Sequence, residues 1–153
     1  MGNILLIVDI QDAFLKDEYK HIVQDIKDYI AESNYASIIG TVFRNEPSSN
    51  FVKYLKWNGC METQTNLVPC HRVILKSTYG LPDWSLNIFK TTSCVDIVGV
   101  DTDACVMAVA FQLFDAGINF RILSDMCYSS GGKEIHDTAL KLMERNFGSA
   151  VII

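Results

Sequence analysis

The chain has 153 residues, a formal net charge of −5 and 49% hydrophobic residues, which fits one globular domain spanning residues 1–153. It carries no Lys/Arg cluster, basic helix or zinc-knuckle spacing, which argues against a nucleic-acid partner. The opening run reaches Asp9 without a charged leader region, no apolar stretch attains membrane-spanning length, and the five cysteines lack CxxC spacing, so the expectation is a cytoplasmic protein with free thiols.

Taken in chain order, apolar β-branched runs alternate with amphipathic ones. Residues 4–8 read as a strand, and 19–32 as a helix with Ile22, Ile26, Tyr29 and Ile30 on one face. A second strand is predicted over 37–43, a polar loop over 44–49 and a short helix over 50–57. Residues 58–70 show no period. A short strand over 73–75, a loop over 78–83 and a helix over 84–92 follow. Residues 95–100 read as a strand, 103–116 as a helix ended by Gly117, and 120–123 as a strand. A loop over 124–132, a helix over 133–145 and a terminal strand over 150–153 complete the pattern. Nearly all-apolar strands alternating with helices predict an α/β fold with a parallel sheet covered on both faces. Sites in such sheets lie at the C-terminal strand ends.

Three predicted strands lead into chemically useful residues: Asp9, Lys76 and Cys105. Each has a structural reading of its own. Asp9 could cap a turn, Lys76 could be a solvated head on an apolar stem, and Cys105 could be a small buried hydrophobe. Their joint placement on one sheet edge is what points to an acid, a base and a thiol in one cleft. Cys105 is predicted in the first turn of a helix, where unpaired N–H groups and partial positive charge favour a thiolate nucleophile.

The strings Leu-Leu-Ile-Val-Asp-Ile-Gln-Asp-Ala-Phe (5–14), Val-Ile-Leu-Lys-Ser-Thr-Tyr-Gly (73–80) and Gly-Val-Asp-Thr-Asp-Ala-Cys-Val (99–106) resemble the isochorismatase-like cysteine hydrolases, a superfamily that includes nicotinamidases and N-carbamoyl amidohydrolases. Ser-Asp-Met-Cys-Tyr-Ser-Ser (124–130) with His136 extends the likeness. The resemblance implies a three-layer α/β/α Rossmann-like fold with a six-stranded parallel sheet ordered 3-2-1-4-5-6. It also implies cleavage of a small-molecule amide-like C–N bond through a thioester on Cys105. Asp9 would take the thiol proton and later assist water, and Lys76 would favour the thiolate and orient the acid. A cis peptide would fall at Val100-Asp101, with the backbone N–H groups of Asp101 and Cys105 facing the oxyanion and Thr102 supporting the turn. Homo-oligomers, dimers or tetramers, are common in the family, and a neighbouring subunit could complete the pocket.

The metal-dependent relatives carry an Asp-x-His near the second strand. Here residues 41–51 contain no histidine, and the three histidines are His21, His71 and His136. No metal and no cofactor is therefore expected. Asp101 stands where many relatives have a small apolar residue, and its side chain is expected to point away from the nucleophile. Phe14, Tyr79 and Trp84 are the pocket candidates, as aromatic walls for a planar or apolar acyl group. Trp57 is read as packing, and Cys127 as structural in the loop after the fifth strand. Three other functions share the architecture: a non-catalytic binding module, a vinyl ether hydrolase of the isochorismatase type, and a thiol redox protein.

Overall fold

The computed structural model describes residues 1–153. Five strands, β1 (Ile4–Val8), β2 (Ser37–Phe43), β3 (Arg72–Lys76), β4 (Val95–Val100) and β5 (Phe120–Tyr128), form one parallel sheet in the order β3-β2-β1-β4-β5. Four α-helices accompany them: α1 (His21–Glu32), α2 (Asn50–Leu55), α3 (Met107–Asp115) and α4 (Lys133–Phe147).

The two central strands, β1 and β4, are buried along their whole length. Alternation of side chains across the pleat sends Leu5 and Ile7 to one face and Leu6 and Val8 to the other. The first pair packs against Ile22 and Ile26 of α1, and the second against Val109 and Leu113 of α3 and Met143 of α4. Each such side chain contributes about 1.5–3 kcal/mol by leaving water, so these two strands anchor both layers. β4 approaches β1 closely at Gly99, where a Cβ would sit 2.1 Å from the Val8 carbonyl oxygen. Only a glycine fits there, one residue before the turn that carries Cys105.

The structure departs from the pattern reading in four places. The sheet has five strands and not six, because Gly148 ends α4 with φ 95° and Ser149–Val151 coil into a 3-10 turn. Only Ile152 reaches the ladder, in a parallel bridge with Ile122. β5 is longer than predicted and runs through the polar stretch after Leu123. Its register jumps from Ile122 opposite Ile97 to Cys127 opposite Gly99, so the extra residues bulge out of the ladder. Cys127 thus lies in a strand and not in a loop. The expected helix over 84–92 is a 3-10 segment, Asp83–Ile88, in which the Ser85 hydroxyl bonds back to the Pro82 carbonyl at 2.6 Å. The helix expected from Asp103 begins as a π-helical turn, Thr102–Val106, and becomes α-helical only at Met107. No helix is long and apolar enough to cross a membrane.

Candidate active site

The parallel register places the C-terminal ends of β1, β3 and β4 on one sheet edge, and there Asp9, Lys76 and Cys105 meet. Lys76 Nζ lies 2.8 Å from Asp9 Oδ2 and 3.3 Å from Cys105 Sγ. Both charged side chains are fully buried. The ammonium has three protons, and three acceptors align with it: the Thr78 carbonyl at 2.9 Å, the Tyr79 carbonyl at 3.1 Å and the Cys105 sulfur. Its contact with Asp9 Oδ2 is therefore an ion pair, and no aligned hydrogen bond reaches that oxygen. The other carboxylate oxygen accepts from the Thr41 hydroxyl at 2.6 Å, while Thr41 Oγ1 accepts from the Asp9 backbone N–H at 3.0 Å. Thr41 thus holds both ends of Asp9, which has a left-handed backbone with φ 49°. One oxygen is anchored and the other is left for a proton.

The thiol does not follow the helix-terminus expectation. Burial pushes Cys105 up to about 12, the charge of Asp9 adds to the rise, and Lys76 opposes it. Burial thus favours the neutral thiol over the thiolate. Alkylation of Cys105 by iodoacetamide, followed by peptide mass, should show no titration step at or below about pH 8.5, where an ordinary thiol turns over. The step should lie above pH 9, and Lys76→Ala should move it higher because the only opposing charge is lost. A step below pH 8.5 in the wild type would contradict the burial argument.

The π-helical turn is wide because the Asp101 carbonyl accepts from both Ala104 N and Val106 N at 3.1 Å. The Val100-Asp101 peptide is cis, at the position expected. Asp101 turns its carboxylate to Ser130, which bonds it through both hydroxyl and backbone N–H, the latter at 3.1 Å. Burial raises the Asp101 carboxyl above its ordinary range, and the Ser130 bonds oppose that rise. Thr102 is buried and lies 2.7 Å from His136 Nδ1. Burial lowers the His136 imidazole.

A cavity of about 420 Å³ opens over this centre. Phe14 and Tyr79 line it as expected. Trp84 does not: it is 55% exposed, outside the cavity, with the Arg72 guanidinium 5.8 Å from its ring centre. The 3-10 geometry of Asp83–Ile88 turns it outward. Trp57 takes the place expected of it, together with Phe43 and Phe51. Phe14, Phe43 and Trp57 rings lie 5.9–6.1 Å apart, and Phe51 meets Tyr79 edge-on at 4.9 Å.

Polar side chains hold these walls. Gln11 pairs with the main chain of Phe43, accepting from its N–H at 2.6 Å and donating to its carbonyl at 3.0 Å. Asn45 donates to the carbonyls of Trp57 at 3.2 Å and Gly59 at 3.1 Å, and accepts from the Ser49 hydroxyl at 2.6 Å. All of Gln11, Thr41 and Asn45 are buried. A polar residue inside or just beyond an apolar strand is the one sequence signal that marked them.

The histidines are scattered. His21 starts α1, His71 Nδ1 accepts from Ile38 N at 3.1 Å, and His136 bonds Thr102. No three His, Cys, Asp or Glu side chains are grouped to hold a metal ion. Cys127 is buried in the core beneath α3 and α4.

The Isochorismatase domain family matches residues 86–152. No curated relative matches the sequence. Among solved structures, an isochorismatase-like hydrolase from Alkaliphilus metalliredigens superposes with a TM-score of 0.77 at 14% identity, covering 95% of this chain and 92% of that one. The pyrazinamidase/nicotinamidase from Streptococcus mutans gives 0.74 at 18% identity, with 99% and 100% covered. The nicotinamidase from Staphylococcus aureus gives 0.67 at 22% identity, with 97% and 95% covered. The shared architecture is the three-layer α/β fold built on a parallel sheet. Over the whole chain the likeness is one of fold, and over residues 86–152 it is to the Isochorismatase domain.

Proposed function

We propose that the protein is a hydrolase that cleaves a small-molecule amide-like C–N bond through a thioester on Cys105. The observation that carries this reading is the meeting of a buried carboxylate, ammonium and thiol at the cavity floor, with one oxygen of Asp9 left without an aligned donor.

The steps follow from the residue types. Cys105 Sγ attacks the carbonyl carbon as its proton passes to Asp9, so the S–C bond forms and the carbonyl π pair moves onto oxygen. The backbone N–H groups of Asp101 and Cys105 receive that oxyanion. Collapse breaks the C–N bond, and protonated Asp9 gives its proton to the leaving amine. Water then attacks the thioester, with Asp9 taking its proton, and the C–S bond breaks. The thiolate leaves beside the Lys76 ammonium and regains its proton from Asp9. Phe14, Phe43, Phe51, Trp57 and Tyr79 suit a flat or apolar acyl group.

An activated ester tests the chemistry without knowledge of the natural substrate. p-Nitrophenyl acetate should release one equivalent of nitrophenolate in a burst, with an acetyl group found on the Cys105 peptide, and Cys105→Ser should lose both. A folded wild-type protein with no burst and no acyl adduct would favour a binding module on the same fold. A panel of small aryl and alkyl amides then defines the acyl group.

A further inference from the structure

The three residues that open the nucleophile turn all reach across to the segment following β5. Asp101 is bonded at both carboxylate oxygens by Ser130. Thr102 Oγ1 meets His136 Nδ1 at 2.7 Å. Asp103 Oδ1 accepts from the hydroxyl of buried Ser129, whose oxygen in turn accepts from Gly131 N at 3.0 Å. Ser130 lines the cavity, and its carbonyl accepts from Lys16 Nζ at 2.6 Å, so the β1–α1 loop braces the same point.

We propose that this three-point clamp aims the backbone N–H of Asp101 at the developing oxyanion, which makes Asp101 and Ser130 positioning residues specific to acyl transfer. The proposal rests on the thioester reading above. A carboxylate held at both oxygens has its side-chain torsions fixed. Through Cβ and Cα it also restrains the position of the backbone nitrogen whose N–H would face the oxyanion. Oxyanion donors help only when they are already in place, and a misplacement of about 1 Å can cost on the order of 10²-fold in rate. The side chain of Asp101 thus works on its own main chain.

Two reactions of the same sulfur separate this role from a general structural one. Acylation by p-nitrophenyl acetate develops an oxyanion, whereas alkylation by iodoacetamide does not. In Asp101→Ala the acylation rate should fall about 10-fold or more while the alkylation rate stays within about 2-fold of wild type. Asp101→Asn, which can still accept from Ser130 N and pair with its hydroxyl, should recover most of the loss. Ser130→Ala breaks the contact from the other side, and its smaller loss of acylation keeps the test open if Asp101→Ala does not fold. Equal falls in acylation and alkylation, or no fall in acylation in either variant, overturn the positioning role alone. A wild-type protein that alkylates at Cys105 but never acylates overturns the thioester reading, and the clamp's role with it.

Discussion

Asp9→Asn should lower the rate of Cys105 acylation at pH 7 about 10³-fold, within the range expected for loss of a general base. The asparagine retains an oxygen for the Thr41 hydroxyl, so the turn keeps its main anchor. What disappears is the acceptor for the thiol proton; the charge of Asp9 that adds to the thiol's rise goes with it, but burial, the larger cause, remains and still disfavours the thiolate. The sign of the pH effect follows. On the proposed reaction, acylation of the wild type near neutrality depends on Asp9. In Asp9→Asn it must wait for hydroxide, so its rate should climb with pH and the deficit should narrow by pH 10. Nitrophenolate bursts measured from pH 6 to 10 read this directly. A variant within about 10-fold of wild type at pH 7 would remove Asp9 from the mechanism.

Lys76→Met should produce the largest change in stability. The side chains of Lys76 and Asp9 are both fully buried. Removing one partner leaves the other's charge stranded, which typically costs about 3–5 kcal/mol. The Thr78 and Tyr79 carbonyls also lose their donor. Urea denaturation should show the midpoint falling with an unchanged slope. The double variant Asp9→Asn/Lys76→Met should recover much of that loss, since no unpaired charge remains. It should recover none of the acylation. Additive losses in the double variant would mean that the pair is not the source of the cost. A double variant with restored acylation would place the proton transfer elsewhere.

The strand ends were the most legible part of the chain. Runs such as residues 4–8 and 95–100 are apolar enough to be central strands and nothing else, and a parallel sheet then fixes which edge Asp9, Lys76 and Cys105 share. The Val100-Asp101 cis peptide and the strand order came through the family resemblance and not from any pattern in the residues. The walls were half legible. Phe14 and Tyr79 sit within a few residues of the motifs, whereas Trp57 reaches the cavity only because Asn45 ties the loop after β2 to the Trp57 and Gly59 carbonyls. No periodicity encodes such a loop. The misreading of Trp84 has the same origin, since one Ser85 bond selects a 3-10 path over an α-helical one. The thiol was misjudged because a helix terminus is visible in sequence, whereas the desolvation that outweighs it depends on residues far apart in the chain.

The cavity divides cleanly by origin. The acid, the ammonium and the thiol stand at the ends of β1 and β3 and in the turn after β4, fixed to the sheet itself. Most of the aromatic walls hang on connections: Phe14 and Tyr79 in the segments after β1 and β3, Phe51 on the short α2, and Trp57 in the loop beyond it. Reactivity and selectivity are therefore inherited on different physical parts. An exchange of Phe51 or Trp57 reshapes what can enter without disturbing the ion pair beneath. On the proposed reaction, a lineage built on this frame would drift from one acyl group to another by single steps, each leaving the buried centre unchanged.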